Sequence, residues 1–249
     1  MNNRILIIPD VHGRTFWKEA INTEEYAKVI FLGDYVDPYE IEGINPLMAI
    51  SIFKDILSLK IANPERVILL LGNHDLCYLS DHYRYLAESD RYDHENEEEL
   101  KSLFRGWKQF FKLAHEERIE NKRYLFSHAG VTQPWLKHNE RTIGEPDAEH
   151  LNLLLKNIEG IRALAQVGQL RGGYYTSGSI VWADSKELAK SDPIPDTYQI
   201  VGHSMQFDSP IISEHFACLD CRAAFSIDRK GKINSATEIL SYEEYLLTP

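Results

Sequence analysis

Five short apolar runs in this chain each stop at acid, amide or imidazole side chains, and this pattern restricts the possible fold more than any other feature. Arg4–Ile8 runs into Pro-Asp, with His12 just beyond. Val29–Leu32 runs into Gly-Asp, with Asp37 next along. Arg66–Leu71 runs into Gly-Asn-His-Asp, Tyr124–Phe126 into Ser-His-Ala-Gly, and the later stretch YQIV into Gly-His-Ser. Runs so short and so uniformly apolar suit strands buried on both faces. Helical patterns lie between them. Asn45-Pro46 offers an N-cap and a first-turn proline for a helix reaching about Lys60, with Leu47, Ile50, Ile52, Phe53, Ile56 and Leu57 as its inner stripe. A second helix is expected over Glu97–His115, with Leu100, Leu103, Phe104, Trp107, Phe110 and Phe111 facing inward, and a third over Leu151–Val167. Strand, helix, strand in succession implies a parallel sheet. From Ser179 onward the segments SIVWAD, YQIVGH, HFACLD, AAFSID and KINSATEIL read as short strands of an antiparallel or mixed sheet, closed by a helix at Ser241–Leu247.

Composition removes several classes. With 249 residues, 43% hydrophobic and 26% charged, the chain can bury a substantial core and is neither disordered nor fibrous. A net charge of −11 argues against a nucleic-acid backbone binder. Three cysteines, Cys77, Cys218 and Cys221, are too few for a disulfide framework, and the lone Cys218-Leu-Asp-Cys221 pair reads as core packing. No apolar stretch is long enough for a membrane span, and Pro9 cuts the first run too short for a signal peptide, so a cytoplasmic location is expected. The acidic segment Glu88–Glu99 reads as a solvated loop and helix start, with His94 on the surface.

Ligands of open α/β sheets bind beyond the carboxyl ends of the strands. The five runs would bring Asp10, His12, Asp34, Asp37, Asn73, His74, His128 and His203 to one such edge. Each alone reads as a turn or a cap. Crowded together they need a compensating positive charge, because buried carboxylates and imidazoles without one are costly. Oxygen and imidazole donors without thiolate suit manganese, iron, zinc or similar ions. The donors are numerous enough for two ions sharing one carboxylate, an arrangement suited to displacement at phosphorus.

On these residues the chain resembles the calcineurin-like metallophosphoesterases. The blocks are PDVHG (Pro9–Gly13), GDYVD (Gly33–Asp37), GNHD (Gly72–Asp75), SHAG (Ser127–Gly130) and VGHS (Val201–Ser204), in family order. GDYVD, SHAG, SIVWAD and VGHS are most similar to the phosphoprotein phosphatase branch, which holds Ser/Thr protein phosphatases and bacterial diadenosine tetraphosphate hydrolases. The resemblance implies one α/β domain over residues 1–249, a four-layer β-sandwich of mixed sheets flanked by helices. It further implies two divalent metal ions, manganese first, with iron, zinc or nickel as alternatives. Asp10 and His12 would hold one, Asn73, His128 and His203 the other, and Asp34 both. A hydroxide between the ions would attack phosphorus, His74 would protonate the leaving oxygen, and Asp37 would orient His74. The branch carries a phosphate-clamping Arg after the second Asp of its G-D-x-V-D block, where this chain has Pro38-Tyr39. Arg14 and Arg171 are the candidate substitutes. Trp182, Asp184, Tyr174 and Tyr175 are candidates for the substrate rim.

The expected activity is therefore a metal-dependent phosphoesterase resembling Ser/Thr phosphatases, acting on a phosphorylated protein, nucleotide or small molecule at a phosphomonoester or phosphoanhydride bond. Dinucleoside polyphosphate hydrolysis and phosphodiester hydrolysis are alternatives of the same class. A metal-binding scaffold on a phosphatase fold is the non-enzymatic one. No membrane and no nucleic-acid partner is expected.

Overall fold

A computed structural model describes residues 4–23, 25–241 and 244; the closing helix expected at Ser241–Leu247 therefore falls mostly outside the described residues. Among the described residues, eleven strands form two sheets. The first runs β11 (Ile233–Ser235), β10 (Phe225–Ile227), β1 (Ile5–Ile8), β2 (Lys28–Phe31), β3 (Val67–Leu70), β4 (Phe111–Lys112). The second runs β5 (Ala114–Ile119), β6 (Lys122–Ser127), β7 (Thr197–Val201), β9 (Phe216–Cys218), β8 (Ile211–Ile212). Strands β1 to β4 pair in parallel, as do β6, β7 and β9, while β10, β11, β5 and β8 run antiparallel to their neighbours. Both sheets are thus mixed.

Side chains of a strand alternate between faces, and here each face has its own core. Ile5 and Ile7, Ile30 and Leu32, Ile68 and Leu70, and Phe225 and Ile227 point from the first sheet onto Phe126, Ile200 and Ala217 of the second. Their neighbours Leu6, Ile8, Val29, Phe31, Val67 and Leu69 pack on the helices instead. This double burial explains why the runs carry no polar alternation. The helices are α1 (Phe16–Thr23), α2 (Pro46–Ala62), α3 (Asn73–Leu79), α4 (Asp81–Ala87), α5 (Glu97–Gly106), α6 (Gln133–His138), α7 (Glu140–Ile143), α8 (Ala148–Leu153), α9 (Ile158–Leu164) and α10 (Ser185–Lys190). Helix α2 starts where Asn45 Oδ1 accepts from Met48 N at 2.9 Å, with Pro46 in its first turn. Phe53 of α2 stacks on Tyr35 at 5.1 Å and on Phe104 of α5 at 4.5 Å. Offset aromatic pairs of this kind add roughly 0.5–1.5 kcal/mol beyond the area they bury.

Several elements differ from the sequence reading. The helix expected over Glu97–His115 ends at Gly106, and Phe111 then pairs with Leu69 as a strand. Gly is a poor interior helix residue, and the sheet edge rewards Phe111 more than another turn would. The helix expected over Leu151–Val167 is broken by a 3₁₀ turn at Leu154–Lys156, after which Asn157 Oδ1 accepts from Gly160 N at 2.7 Å and starts α9 afresh. SIVWAD is no strand: Ser179 O accepts from Trp182 N and Ala183 N at 2.8 Å, folding the segment into a turn. Leu47 is 64% exposed and does not belong to the α2 stripe. All three cysteines are free and buried, as expected of core residues. Among the described residues no helix is long and apolar enough to cross a membrane.

Candidate metal centre

Parallel pairing sends the carboxyl ends of β1, β2 and β3 in one direction and those of β6 and β7 together, and the two edges meet. His12 N and Val11 N donate to Asp34 O at 2.7 and 3.0 Å, knitting the first two turns together. Gly202 N donates to His128 O at 2.7 Å, and His203 N to Asp10 Oδ1 at 2.9 Å, tying the second sheet to the first. His74 N donates to Asp34 Oδ1 at 3.1 Å. A Cβ on Gly72 would fall on Asp34 Oδ1, and one on Gly202 on Asp10 Oδ1, so only glycine lets these turns approach the carboxylates. His12, Asp34, Asp37 and His203 have φ of 43, 52, 57 and 64°, the left-handed region that non-glycine residues seldom occupy.

The donor atoms converge as the strand-end reading expects. Two groups, His12–Asp34–His74 and Asp34–His128–His203, each keep their donor atoms within 4.8 Å of one another and share Asp34. Asp10 and Asn73 line the same cavity beside them. The first group counts His74 where the sequence reading has Asp10. His74 is tied by Nδ1–H to Asp37 Oδ2 at 2.8 Å, which leaves only its Nε2 toward the cavity. Asp37 in turn accepts from Tyr78 Oη and, at 3.4 Å, from Ser89 Oγ. Tyr78 is held by ring stacking on Tyr92 at 4.6 Å and on Phe104 at 5.8 Å, so the aromatic core extends to the Asp37 carboxylate.

The chemistry of these donors fits a cation. His12 Nδ1–H donates to Val36 O at 2.7 Å, which leaves its Nε2 lone pair facing Asp34 Oδ2 at 3.6 Å. His128 Nδ1–H donates to Leu32 O at 3.0 Å; its Nε2 then meets His203 Nδ1 at 3.1 Å and two oxygens that can only accept, Asn73 Oδ1 at 3.1 Å and Asp34 Oδ2 at 3.4 Å. His203 Nε2 is buried with no hydrogen-bond partner among the described residues. Lone pairs that converge in this way need a proton or a metal ion between them. In the protein alone a proton serves: burial would lower the His128 pKa, but the Asp34 and Asp10 carboxylates push it up to about 10. Burial holds His12 and His203 well below the usual imidazole range, aided at His203 by Arg171 and His128. For Asp34, burial is outweighed by His128 and His74, and the carboxyl lies well below its usual range. At His12, His203 and Asp34 these are the protonation states that metal ligation requires, whereas His128 would have to give up its proton. At His74, burial is outweighed by Asp34 and Asp37, and the pKa is raised.

The arginines divide. Arg14 is buried and turned from the cavity, with Nε and Nη2 on Glu42 at 2.8 and 2.7 Å and Nη1 on Asp10 O at 3.1 Å. Its guanidinium braces the first turn and is not placed to meet a substrate. Arg171 lines the cavity. Its Nε faces Asp184 Oδ2 at 3.1 Å, and its Nη2 donates to Ser204 Oγ at 2.7 Å and His203 O at 3.2 Å. Sequence reasoning missed Arg91, which sits in the acidic segment and turns inward, with Nη2 3.1 Å from His74 Nε2 and 3.4 Å from His12 Nε2. Tyr39, Tyr174, Tyr175 and Trp182 complete the walls of a cavity of about 610 Å³. Asp184 serves instead as the N-cap of α10, accepting from Lys186 N at 2.9 Å.

The chain is 30% identical over 164 residues to a probable serine/threonine-protein phosphatase of Encephalitozoon cuniculi, across 63% of this chain and 33% of that protein. It thus spans about a third of the length of that curated relative. A protein serine/threonine phosphatase of Saccharomyces cerevisiae with similarity to human phosphatase PP5 superposes with a TM-score of 0.53 at 15% identity, over 96% of this chain and 81% of that one. A mutant cold-active protein tyrosine phosphatase gives 0.54 at 14% identity, over 95% and 81%. These two likenesses establish the fold. The family of calcineurin-like phosphoesterases, which are metal-dependent hydrolases, matches residues 3–207, most of the chain and every strand-end turn of the centre, and the chain belongs to it.

Proposed function

We propose that this chain hydrolyses phosphomonoester or phosphoanhydride bonds at a centre of two divalent metal ions, in the manner of a Ser/Thr phosphatase. The observation that carries the reading is the meeting of two donor groups at Asp34. Asp10 and His12 would hold one ion, Asn73, His128 and His203 the other, and Asp34 both. The donor set suits manganese, and also iron, zinc or nickel. Ions held there would lower the pKa of a water and offset the charge of the phosphoryl group. The remaining chemistry belongs to the chain. His74, held through Nδ1 by Asp37, turns Nε2 toward the cavity, and its protonated form, favoured by the raised pKa, would carry a proton there. As the phosphorus–oxygen bond to the leaving group breaks, that proton passes to the departing oxygen, and the ring regains one from the water that has added to phosphorus. Tyr78 and Ser89 fix the Asp37 carboxylate and so the direction of the ring.

The relative's serine/threonine-phosphatase name supports a phosphomonoester substrate. The aromatic rim supports a second reading: Tyr39, Tyr174, Tyr175 and Trp182 around the cavity favour a leaving group with a flat ring, such as a nucleoside of a dinucleoside polyphosphate. The test is a screen of the manganese-loaded protein against aryl phosphates, phosphopeptides, nucleotides and dinucleoside polyphosphates, with Asp34→Asn as control. Turnover lost in Asp34→Asn supports the centre. Tight metal binding with no turnover on any substrate would leave the chain a scaffold.

A further inference from the structure

We propose that Arg91 is the phosphoryl clamp of this centre and that it selects terminal phosphoryl groups, as in monoesters, over diesters. The inference rests on the reading above and deepens it. Three guanidiniums border the centre, and their partners separate them. Arg14 is taken up by Glu42 and Arg171 by Asp184. Among the described residues no carboxylate lies within ion-pair distance of Arg91, whose partners are Asp37 O at 3.1 Å, two imidazole nitrogens and the Tyr39 ring, 3.5 Å below the guanidinium carbon. With imidazole nitrogens rather than a carboxylate as its acceptors, the guanidinium keeps an uncompensated positive charge at the cavity, which a phosphoryl anion would compensate.

The placement is built. Ser89 and Tyr92 on either side of Arg91 are 5% and 7% exposed. Ser89 Oγ donates to Asp37 Oδ2 at 3.4 Å, Tyr92 stacks on Tyr78 at 4.6 Å, and Asp93 N donates to Tyr78 Oη at 2.8 Å. The same Tyr78 and Asp37 that orient His74 therefore hold the segment carrying Arg91. The turn after Asp37 offers no cation of its own, since Pro38-Tyr39 follows; instead it supplies the carbonyl and the ring on which Arg91 rests. Arg91 lines the cavity with His12 and His74, so an anion seated beside the leaving-group acid meets its guanidinium. The transferring group of a monoester has three non-bridging oxygens and that of a diester has two. A charged donor beyond the metal ligands therefore helps the monoester more.

The experiment compares the manganese-loaded full chain with Arg91→Ala and Arg91→Lys on p-nitrophenyl phosphate and bis(p-nitrophenyl) phosphate. Orthophosphate binding is followed by calorimetry and bound metal by mass spectrometry. Arg91→Ala is expected to cut monoester kcat/KM by roughly a hundredfold, at least tenfold more than diester kcat/KM, as for loss of a charged transition-state donor. Orthophosphate affinity should fall about tenfold or more with metal content unchanged, and Arg91→Lys should restore only part of it. Equal losses on both esters, or unchanged orthophosphate affinity, overturns the proposal; so does loss of bound metal, which would make Arg91 a brace for His12 and His74. If the wild type hydrolyses neither ester, the esterase reading fails by itself. Orthophosphate then still decides for Arg91: weaker binding to Arg91→Ala supports the clamp, and equal binding overturns it.

Discussion

At the scale of single residues, the proposed centre binds the far side of most of its imidazoles and leaves His203 Nε2 without a partner among the described residues. His74 differs from the other imidazoles in having a carboxylate behind it, which predicts a separable role. His74→Asn should keep its bound metal yet lose roughly 10²–10⁴ in kcat, as expected for loss of a general acid, with the smallest loss on esters of acidic phenols. Steady-state rates beside metal analysis check this. His128 predicts a pH dependence. Its folded pKa, about 10, lies above the ordinary 6.5, so in the metal-free protein its proton contributes stability that is complete below pH 6.5 and is lost as pH rises through 10. Metal uptake at the proposed ligand His128 would displace that proton. Apparent metal affinity should therefore rise about tenfold per pH unit between 7 and 9, with proton release visible in buffers of different ionisation enthalpy. An affinity flat across that range would contradict it. That eight polar residues meet at one edge is legible because each follows an apolar run. Arg91 was not, because nothing local distinguishes an arginine in an acidic segment; only Tyr78, Ser89 and Tyr92 folding against Asp37 turns it inward.

Among the elements, the turns between strand and helix are the sensitive parts, and two glycines give a paired test. A methyl at Gly72 meets the Asp34 carboxylate, whereas one at Gly106, at the end of α5, meets nothing within 4 Å. Gly72→Ala should lower both metal content and melting temperature. Gly106→Ala should be neutral or stabilise by about 0.4–1 kcal/mol through the unfolded chain. Thermal melts and metal analysis of both variants decide. The strands themselves could be read from sequence because burial on both faces leaves uniformly apolar runs. The end of α5 could not, since Phe110 and Phe111 continue the helical spacing and only pairing with Leu69 of β3 shows where the helix must stop. SIVWAD misled for a related reason: its apolar residues are buried by a turn rather than by a ladder.

For the molecule as a whole, the donors come from both sheets, with Asp10, His12, Asp34 and Asn73 after β1, β2 and β3 and with His128 and His203 after β6 and β7. An ion held at the proposed centre would thus link the two halves. Calorimetric unfolding should show one transition that moves up as a unit when manganese is added, by about 2.7 kcal/mol of stability at a hundred times its dissociation constant, and that returns with chelator. Two transitions, only one of them responding to metal, would mean that the halves fold separately. The left-handed backbone at His12, Asp34, Asp37 and His203 has a consequence at this scale too. Each such residue costs about 1 kcal/mol that glycine would not, and His203 brings besides a buried nitrogen without a partner. The chain is therefore poised against its own chemistry. A laboratory selection for thermal tolerance alone, run without metal, would be expected to erase the centre first and leave the sandwich standing.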